Sequence, residues 1–414
     1  MSKIIDIKCR EILDSRGYPT IEVSVTSEKG YTGVFAVPSG ISIGSKETIE
    51  IRDNDSRYFG NGVLKVIESI NSEIKNALIG MDIFKQKEID EKLLSLDGTD
   101  NKSKLGTNAI LGVSIATLKA AALETHKEIY EYLNPKRHKI PKAMFNVING
   151  GIFAKNNLDI QEFMIVPKMN SFKESLRCAS EVYHALKEIL DKEGLNTSTS
   201  DEGGFTPDLE DNKSALNYIS KAIESAGYIP GKDVFLALDV AATRLYNKEK
   251  ETYKIDNKFF SREELLNYYM DLVKNYPIIS IEDPYDENDI EGFKLISDKL
   301  AKGINIVGDD LFATNKKYLK EGIDNKICNS ILIKPNQVGT FYEMLETIVL
   351  AKKNNYTCIM SHRGGETLDT FIIDCAVALE LPFIKCGSIT RGERICKYNR
   401  LLRIEEDLYE KGIN

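Results

Sequence analysis

The sequence at residues 278–282 reads Ile278-Ile279-Ser280-Ile281-Glu282, a short apolar run that ends in a charged residue. Similar runs lie between residues 234 and 385, and they end at Asp239, Asp309, Lys334, His362 and Lys385. From Glu282 onward the spacing is roughly 25 residues, the length of one strand and one crossover helix. We therefore predict continuous parallel strands covered on both faces and closed into a TIM-type α/β barrel.

The charged residues at the strand ends predict a site at one mouth of this barrel, because the carboxyl ends of its strands gather there. Asp239, Glu282 and Asp309 follow three of the runs, with no histidine or cysteine among them. A single acidic residue after a strand is more often a helix cap or an ion-pair partner. Three on neighbouring strands favour a cation with all-oxygen ligands, Mg²⁺ or Mn²⁺ rather than zinc.

Two lysines, Lys334 and Lys385, also end apolar runs, although lysines are normally solvated. A divalent cation and a second ammonium nearby would depress the pKa of such a lysine and leave a neutral amine able to accept a proton. Glu202, in an acidic pair before two glycines, is a candidate for the complementary acid.

His362 and Arg363 end another strand, directly before Gly364 and Gly365. An arginine with backbone N–H groups beside it suits a phosphate or carboxylate clamp, and a structural arginine is the alternative. Together these groups fit the abstraction of a proton beside a metal-bound carboxylate, followed by loss of a group from the adjacent carbon.

The composition indicates a globular protein with more than one domain. The chain has 414 residues, of which 42% are hydrophobic and 29% are charged. A net charge of −8 disfavours nucleic acid or an anionic membrane as the main partner. The seven cysteines show no paired CxxC spacing, and no apolar run reaches membrane-spanning length. We therefore expect reduced thiols, no membrane span and a cytoplasmic location.

The first third of the chain has a different pattern. Strand-like runs at 4–13, 20–26 and 31–37 predict a three-stranded meander, and helical periodicity follows between residues 62 and 132. The glycine-rich segment 38–45 is either a surface loop or a loop that contacts a ligand or a metal. The proline-bracketed segment 134–141 predicts a domain boundary. We therefore expect an N-terminal α+β domain at 1–133 and a C-terminal barrel at 141–414.

Nine motifs in this order resemble those of enolase, and they cover nearly the whole chain. They are Glu11–Gly17, Val37–Gly40, Gln161–Met164, Ser200–Phe205, Ile281–Pro284, Val307–Phe312, Leu332–Thr340, Ser361–Thr367 and Lys397–Glu406. The resemblance implies reversible dehydration of 2-phosphoglycerate to phosphoenolpyruvate, by a barrel whose first strands depart from strict alternation of strand and helix. It also implies a homodimer, formed through the N-terminal domain.

The resemblance further implies a role for each matched residue. Lys334 would remove the C2 proton, and Glu202, with Glu162 beside it, would assist departure of the C3 hydroxyl. Two Mg²⁺ ions are implied. The residues that would hold the first ion are Asp239, Glu282 and Asp309, and Ser39 would help to hold the second. The residues that would line the substrate's carboxylate and phosphate are Gln161, His362, Arg363, Gly364 and Lys385.

The chain departs from the enolase motifs on the substrate side of the predicted site. Phe153 stands where the family motif has a histidine, and it offers neither charge nor hydrogen bond. The family's Ser-Gly-Ala-Ser-Thr-Gly loop here carries Ile41 and Ile43, which are bulkier and less polar. Gly364 replaces a serine, and Leu368 replaces an acidic residue. The predicted metal ligands and the predicted lysine base are all retained.

Three functions are therefore compared. We expect a metal-dependent lyase, because an unused cluster of buried charges would be costly to keep. A second hypothesis is an enolase-like enzyme for a related phosphonate or phosphorylated hydroxy acid, in which Phe153 and the isoleucines reshape the pocket. A third is a binding protein that has kept the fold without the catalysis.

Overall fold

The computed structural model describes residues 1–41 and 44–412, and the chain begins with an antiparallel sheet. Its three strands are β1 (Ile4–Leu13), β2 (Pro19–Ser27) and β3 (Thr32–Ala36). Five helices follow: α1 (Leu64–Ser69), α2 (Lys75–Leu78), α3 (Gln86–Asp97), α4 (Thr107–Glu124) and α5 (Ile129–Leu133). A π-helical turn at Ile70–Ile74 joins α1 to α2.

Helix α4 packs against one face of this sheet. It is rich in alanine and other small residues and is buried along nearly its whole length, so it lies very close to the strands. A Cβ atom built on Gly33 of β3 would lie 2.1 Å from the carbonyl oxygen of Ala116, so this approach requires a glycine. The sheet agrees with the predicted meander, and α4 lies within the helical periodicity noted between residues 62 and 132.

Eight strands form a closed barrel. They are β4 (Lys142–Asn149), β5 (Glu162–Pro167), β6 (Val234–Asp239), β10 (Ile278–Glu282), β11 (Asn305–Gly308), β12 (Ser330–Ile333), β13 (Thr357–Ser361) and β14 (Phe383–Lys385). Strand β5 is antiparallel to both β4 and β6, and the remaining neighbours, including the closing pair of β14 and β4, are parallel. The barrel predicted from the apolar runs is therefore confirmed, as is its irregular start.

Helices cover the outside of the barrel. They are α6 (Phe172–Lys192), α7 (Asn212–Ser225), α8 (Arg262–Asn275), α9 (Ile290–Leu300), α10 (Lys316–Asn325), α11 (Phe341–Lys353), α12 (Phe371–Ala378) and α13 (Gly392–Glu410). Inside the barrel, apolar side chains from most of its strands, among them Met164, Val307 and Leu332, form a buried cluster below the mouth.

One element differs from the sequence expectation. The predicted alternation of strands and helices would place a helix directly after the run that ends at Asp239, but a small antiparallel sheet precedes α8. Its strands are β7 (Tyr246–Asn247), β8 (Thr252–Ile255) and β9 (Lys258–Phe260). Across the described ranges, no helix has the length and apolar character needed to cross a membrane.

Candidate active site

The carboxyl ends of the barrel strands surround one cavity. Ten of the residues predicted from the sequence line it: Gln161, Glu162, Glu202, Asp239, Asp309, Lys334, His362, Arg363, Gly364 and Lys385. Among its other lining residues are Ile41, Phe153, Ala241, Asp283 and Asp310. Glu282 does not line the cavity, but it accepts a hydrogen bond from Lys385, which does. Ser39 does not line the cavity either. The fold thus brings side chains more than 200 residues apart in sequence to one point.

The ammonium of Lys385 lies among three carboxylates from neighbouring strands. Its Nζ is 3.0 Å from Glu162 Oε2, 3.2 Å from Asp239 Oδ2 and 2.8 Å from Glu282 Oε1. Strand register causes this convergence, because Asp239 is paired with Glu162 on one side and with Glu282 on the other. Burial raises the pKa of Asp239 and of Glu282, although Lys385 opposes the shift. Burial also opposes the charge of Lys385, but Asp239, Glu162 and Glu282 outweigh it and raise the lysine's pKa.

A second lysine pairs with the third predicted metal ligand. Lys334 Nζ donates to Asp309 Oδ2, and Gln337 Nε2 donates to Asp309 Oδ1 at 3.0 Å. Burial favours the neutral amine, but the Asp309 carboxylate outweighs it, so the pKa of Lys334 is raised. Burial likewise opposes ionisation of Asp309, yet Lys334 and Lys385 hold its pKa down. The depressed lysine pKa expected from the sequence presupposes a divalent cation beside Lys334; with Asp309 as its charged partner, the lysine keeps its proton.

Asp283 positions the turn that carries Asp309. The carboxylate of Asp283 accepts the backbone N–H groups of Asp309 at 2.8 Å and of Asp310 at 2.9 Å. Its own backbone has a φ of +42°, an uncommon conformation for a residue with a side chain. Burial, with Asp310 and Asp309 nearby, raises the pKa of Asp283 well above its usual range. This role was not predicted from the sequence, in which Asp283 belongs to the motif Ile281–Pro284.

Glu162 and Glu202 have opposite pKa shifts although they are hydrogen-bonded to each other. Burial and the neighbouring Glu162 raise the pKa of Glu202 well above its usual range. Burial opposes ionisation of Glu162, but Lys385 and the hydrogen bond from Glu202 lower its pKa. The shifts favour a protonated Glu202 that donates to Glu162, and Asn146 Nδ2 donates to Glu202 Oε2 at 3.2 Å. Environments that shift the pKa values of two neighbouring carboxyl groups in opposite directions typically mark an acid beside a charged partner.

His362 is buried and neutral. Burial and the nearby guanidinium of Arg394 lower its pKa well below the usual range. Arg394 donates to His362 Nδ1 at 2.6 Å, so the proton of the ring lies on Nε2, which is 3.5 Å from Glu202 Oε1. Arg394 was not identified from the sequence, because it lies in α13 and away from every strand end.

Arg363 is held by a residue from the N-terminal part of the chain. Glu47 Oε2 and Oε1 accept hydrogen bonds from the two terminal nitrogens of Arg363, at 2.8 and 3.1 Å, and both side chains are buried. Asn336 Oδ1 accepts from the same guanidinium at 2.9 Å. Such a bidentate contact fixes the plane of the guanidinium at the cavity. Sequence reasoning missed Glu47, which lies just after the glycine-rich loop.

Ser39 lies beside the barrel rather than in the cavity. Its hydroxyl donates to Glu50 Oε2 at 2.7 Å and accepts from Arg52 at 2.8 Å. Its backbone forms a β-bridge with Gly365, with hydrogen bonds of 2.8 and 3.0 Å. Ser39 is thus positioned next to the segment that follows His362, but its hydroxyl is occupied by other side chains.

The buried carboxylates fit a hard divalent cation. An ammonium already lies within 3.2 Å of Asp239 and Glu282, so this part of the cavity is built to surround positive charge with oxygen atoms. The three predicted ligands of the first ion are nevertheless divided in the structure. Asp309 pairs with Lys334, whereas Asp239 and Glu282 pair with Lys385. Within residues 1–41 and 44–412, the two groups that bring potential ligand atoms within 4.8 Å of one another are Asp283–Asp309–Asp310 and Glu162–Glu202–His362.

The substituted positions form an apolar part of the cavity wall. Phe153, in the 3₁₀ turn Gly151–Phe153, and Ile41 both line the cavity, and Gly364 lies directly beneath Ile41. Ile43, the second isoleucine of the loop, lies outside the described residues. The departures noted in the sequence at Ile41, Phe153 and Gly364 therefore meet around the same cavity as the charged residues.

Comparison with known families agrees with the fold and with this cavity. The family model for the enolase N-terminal domain matches residues 4–133. The family model for the enolase C-terminal TIM barrel domain matches residues 137–414. These matches together span nearly the whole chain, and the resemblance noted in the sequence motifs is confirmed. The chain belongs to the enolase family.

Proposed function

We propose that this chain is a Mg²⁺-dependent lyase that interconverts 2-phosphoglycerate and phosphoenolpyruvate. The observation that carries the proposal is the buried cluster in which Lys334 and Lys385 lie among four carboxylates, beside a neutral acid. Enolase-superfamily sites in general combine a lysine or histidine base with one or two Mg²⁺ ions. The cluster offers lysines for the role of the base and carboxylates that would hold such ions.

Lys334 is the proposed base for the C2 proton. Its Nζ is buried at the cavity wall, where it donates to the carboxylate of Asp309. The ions would be held by Asp239, Glu282 and Asp309, and by Ser39 for the second, and when bound they would stabilise the negative charge that develops on the substrate's carboxylate. Asp309 would then no longer need Lys334 as its counter-charge, so the lysine could release its proton and accept the one from C2.

Glu202 is the proposed acid for departure of the C3 hydroxyl. Its raised pKa favours the protonated form, as a general acid requires. Glu202 donates a hydrogen bond to Glu162 and accepts one at Oε2 from Asn146, and these contacts orient the carboxyl group. His362 Nε2–H points towards the same carboxyl group.

The substrate's anionic groups would contact the positive and amide side of the cavity. Arg363 provides a guanidinium already oriented by Glu47 and Asn336. Lys385 provides a second positive charge, and Gln161 donates to Asp239 at 3.3 Å while its Oε1 has no partner among the described residues. The backbone of Gly364 completes the proposed binding set.

The test is formation of phosphoenolpyruvate, followed by absorbance, from 2-phosphoglycerate with and without Mg²⁺. We expect turnover that depends on Mg²⁺ and is lost in Glu202→Gln, which keeps the size of the side chain but removes the acidic proton. Glu193→Gln, on an exposed residue at the end of α6, is the matched control and should leave the rate unchanged. Intact Mg²⁺ binding without any turnover would overturn the proposal.

A second candidate follows from the apolar wall. Phe153 and Ile41 present no hydrogen-bonding group to the cavity. This favours, as the alternative, an enolase-like enzyme for a related phosphonate or phosphorylated hydroxy acid. Normal Mg²⁺ binding with no turnover of 2-phosphoglycerate would support it, whereas failure to bind Mg²⁺ would support a non-catalytic binding protein.

We also propose the organisation implied by the resemblance: domains at 1–133 and 141–414, and a cytoplasmic homodimer. Exposed apolar side chains, including Leu13 on β1 and Leu368, support an interface between copies, since these residues are 55% and 70% exposed. All seven cysteines are free, and six of them are buried, which suits a reducing compartment. Light scattering after size-exclusion chromatography would test the dimer, and a monomeric mass would contradict it.

A further inference from the structure

The guanidinium of Arg394 is buried against the strand end that carries His362. Arg394 lies in α13, has no solvent exposure and does not line the cavity. Its Nη1 donates to His362 Nδ1 and to the carbonyl of Arg363, each at 2.6 Å. Its Nη2 donates to the carbonyl of Gly364 at 2.6 Å. Because a guanidinium is planar and rigid, these hydrogen bonds hold the His362 ring and the backbone that follows it in one arrangement.

The contact with Arg394 decides which nitrogen of His362 carries the proton. Arginine has no acceptor, so Nδ1 of the ring accepts and the single ring proton lies on Nε2. Burial and the charge of Arg394 lower the pKa of His362 well below its usual range, which favours the neutral ring. Nε2 lies 3.5 Å from Glu202 Oε1. His362 therefore presents an N–H group to Glu202.

The turn at Gly387 packs these groups together. Gly387 has a φ of +76°, and a Cβ atom built on it would lie 3.0 Å from Arg394 Cδ and 3.1 Å from His362 Cε1. The same Cβ would lie 3.0 Å from the carbonyl oxygen of Glu202. That carbonyl accepts the backbone N–H of Ser388 at 2.9 Å. The arginine, the ring and the backbone of the acid are therefore in contact with one turn.

The proposed acid step creates a second negative charge beside Glu162. Glu202 would transfer its proton to the C3 hydroxyl, which leaves as water with the electron pair of the C–O bond, while the electron pair at C2 forms the double bond. Glu202 is then a carboxylate next to Glu162, whose lowered pKa favours its charged form. Hydrogen-bond donors must offset the repulsion between the two charges. Asn146 Nδ2 donates to Glu202 Oε2, and the His362 N–H faces Oε1.

We propose that Arg394 is a positioning residue for this acid step, because it fixes His362 as an Nε2–H donor to the Glu202 carboxylate. The inference rests on the proposed function for the reaction, whereas the hydrogen bond between Arg394 and Nδ1 is independent of it. Without Arg394 the ring proton could lie on Nδ1. Two acceptors, the Nε2 lone pair and the carboxylate, would then face each other and slow the loss of the proton from Glu202.

The first measurement is ¹⁵N NMR of the histidine rings in the wild-type protein. The chain has four histidines, and the other three do not line the cavity, so their single substitution by glutamine assigns His362 by elimination. We expect a neutral His362 ring with its proton on Nε2, and a shift of the proton towards Nδ1 in Arg394→Met. A wild-type ring protonated on Nδ1 overturns the inference, whether or not the Arg394 variant folds.

The second measurement separates the two halves of the reaction. Exchange of the C2 proton of 2-phosphoglycerate for deuterium, with Mg²⁺ in D₂O, reports the base step, and formation of phosphoenolpyruvate reports the whole reaction. We expect Arg394→Met to lower kcat by about 10–100-fold, since a hydrogen bond to a charged group is lost, and to keep C2 exchange. Arg394→Lys keeps the charge and one donor but not the planar fork, so it should recover part of the rate.

Arg400→Met is the matched control. Arg400 lies on the same helix, pairs with Asp374 and Glu128, and does not line the cavity. Its removal should lower the stability of the fold and leave both kcat and the His362 tautomer unchanged. In His362→Ala, addition of Arg394→Met should cause little further loss of kcat, because the arginine acts through the ring.

The outcomes separate the inference from the function on which it rests. The inference is overturned by additive losses in the double variant, by C2 exchange that falls as far as kcat, or by a loss confined to KM. A loss confined to KM would assign Arg394 to the support of Arg363 and Gly364 alone. In each of these cases turnover by the wild type still supports the proposed function. Absence of both turnover and C2 exchange in the wild type overturns both.

Discussion

Removal of the Lys385 ammonium should make the stability of the protein depend on Mg²⁺. The ammonium contacts carboxylates of Glu162, Asp239 and Glu282 at 2.8–3.2 Å, and the lysine is 3% exposed. Loss of one partner from a buried ion pair costs about 3–5 kcal/mol, because the opposite charge stays buried without compensation. Lys385→Met keeps the apolar stem and removes the charge. In EDTA we therefore expect it to be destabilised by about 3–5 kcal/mol, or slightly less if the acids take up protons.

The assay is thermal unfolding in EDTA and in saturating Mg²⁺. A cation bound by the carboxylate oxygens that have lost the ammonium would replace the positive charge. A ligand at 100 times its Kd stabilises the folded state by about 2.7 kcal/mol. Since the ammonium no longer competes for Asp239 and Glu282, the gain in Tm from Mg²⁺ should be larger in Lys385→Met than in the wild type.

Lys397→Met is the matched control for this experiment. Lys397 is also buried, and it donates to Glu366 Oε2 at 2.7 Å and to the carbonyl of Thr367 at 3.0 Å. Its removal should destabilise the fold to a similar degree, but Mg²⁺ should not restore the loss. Equal responses to Mg²⁺ in the two variants would refute the view that the carboxylates around Lys385 bind a cation.

Three further predictions concern single side chains. Lys334→Met should lower turnover of 2-phosphoglycerate by about 10²–10⁴-fold with Mg²⁺ affinity retained in calorimetry, and loss of Mg²⁺ binding would contradict a role as base. Phe153→His should raise the same rate, because it adds a hydrogen-bonding ring at the cavity wall; a further drop would indicate a cavity rebuilt for another acid. Burial raises the pKa of Asp90 to about 7, so between about pH 4 and 7 the folded chain holds a proton that the unfolded chain releases, and stability falls with rising pH by up to about 4 kcal/mol. Asp90→Asn should flatten the fall in Tm from about pH 4 to about pH 7, and an unchanged slope would assign the fall to other groups.

The barrel was predictable because its signals are local. An apolar run such as Ser330–Ile333, followed by a charged residue and a helical stretch, specifies a buried strand and the end at which it stops. The β7–β9 sheet was missed because its strands are only two to four residues long and of mixed polarity. One signal was present in the sequence: Asp256-Asn257 is a pair of residue types that tolerate positive φ. Both adopt it between β8 and β9, as in a tight hairpin turn.

The partners of the charged side chains were not predictable from the sequence. Strand order placed Lys334 and Lys385 at one mouth, but which carboxylate each contacts depends on side-chain direction and distance in three dimensions. Glu47 and Arg363 are separated by 316 residues, and no local pattern connects them. The same is true of Arg394, which sets the protonation of His362 from a helix at the end of the chain.

The charge distribution at the mouth is difficult to explain by stability alone. Lys334, Lys385, Asp239, Glu282 and Asp309 are each less than 10% exposed. Replacement of a buried ionic cluster by well-packed apolar residues is often neutral or stabilising by about 1–4 kcal/mol, so such a cluster is weak support for a fold. The apolar cluster just below the mouth shows that the same strands pack well without charge. The buried charges are therefore best explained by the chemistry proposed for the mouth, in which a base and an acid would act within one buried cavity.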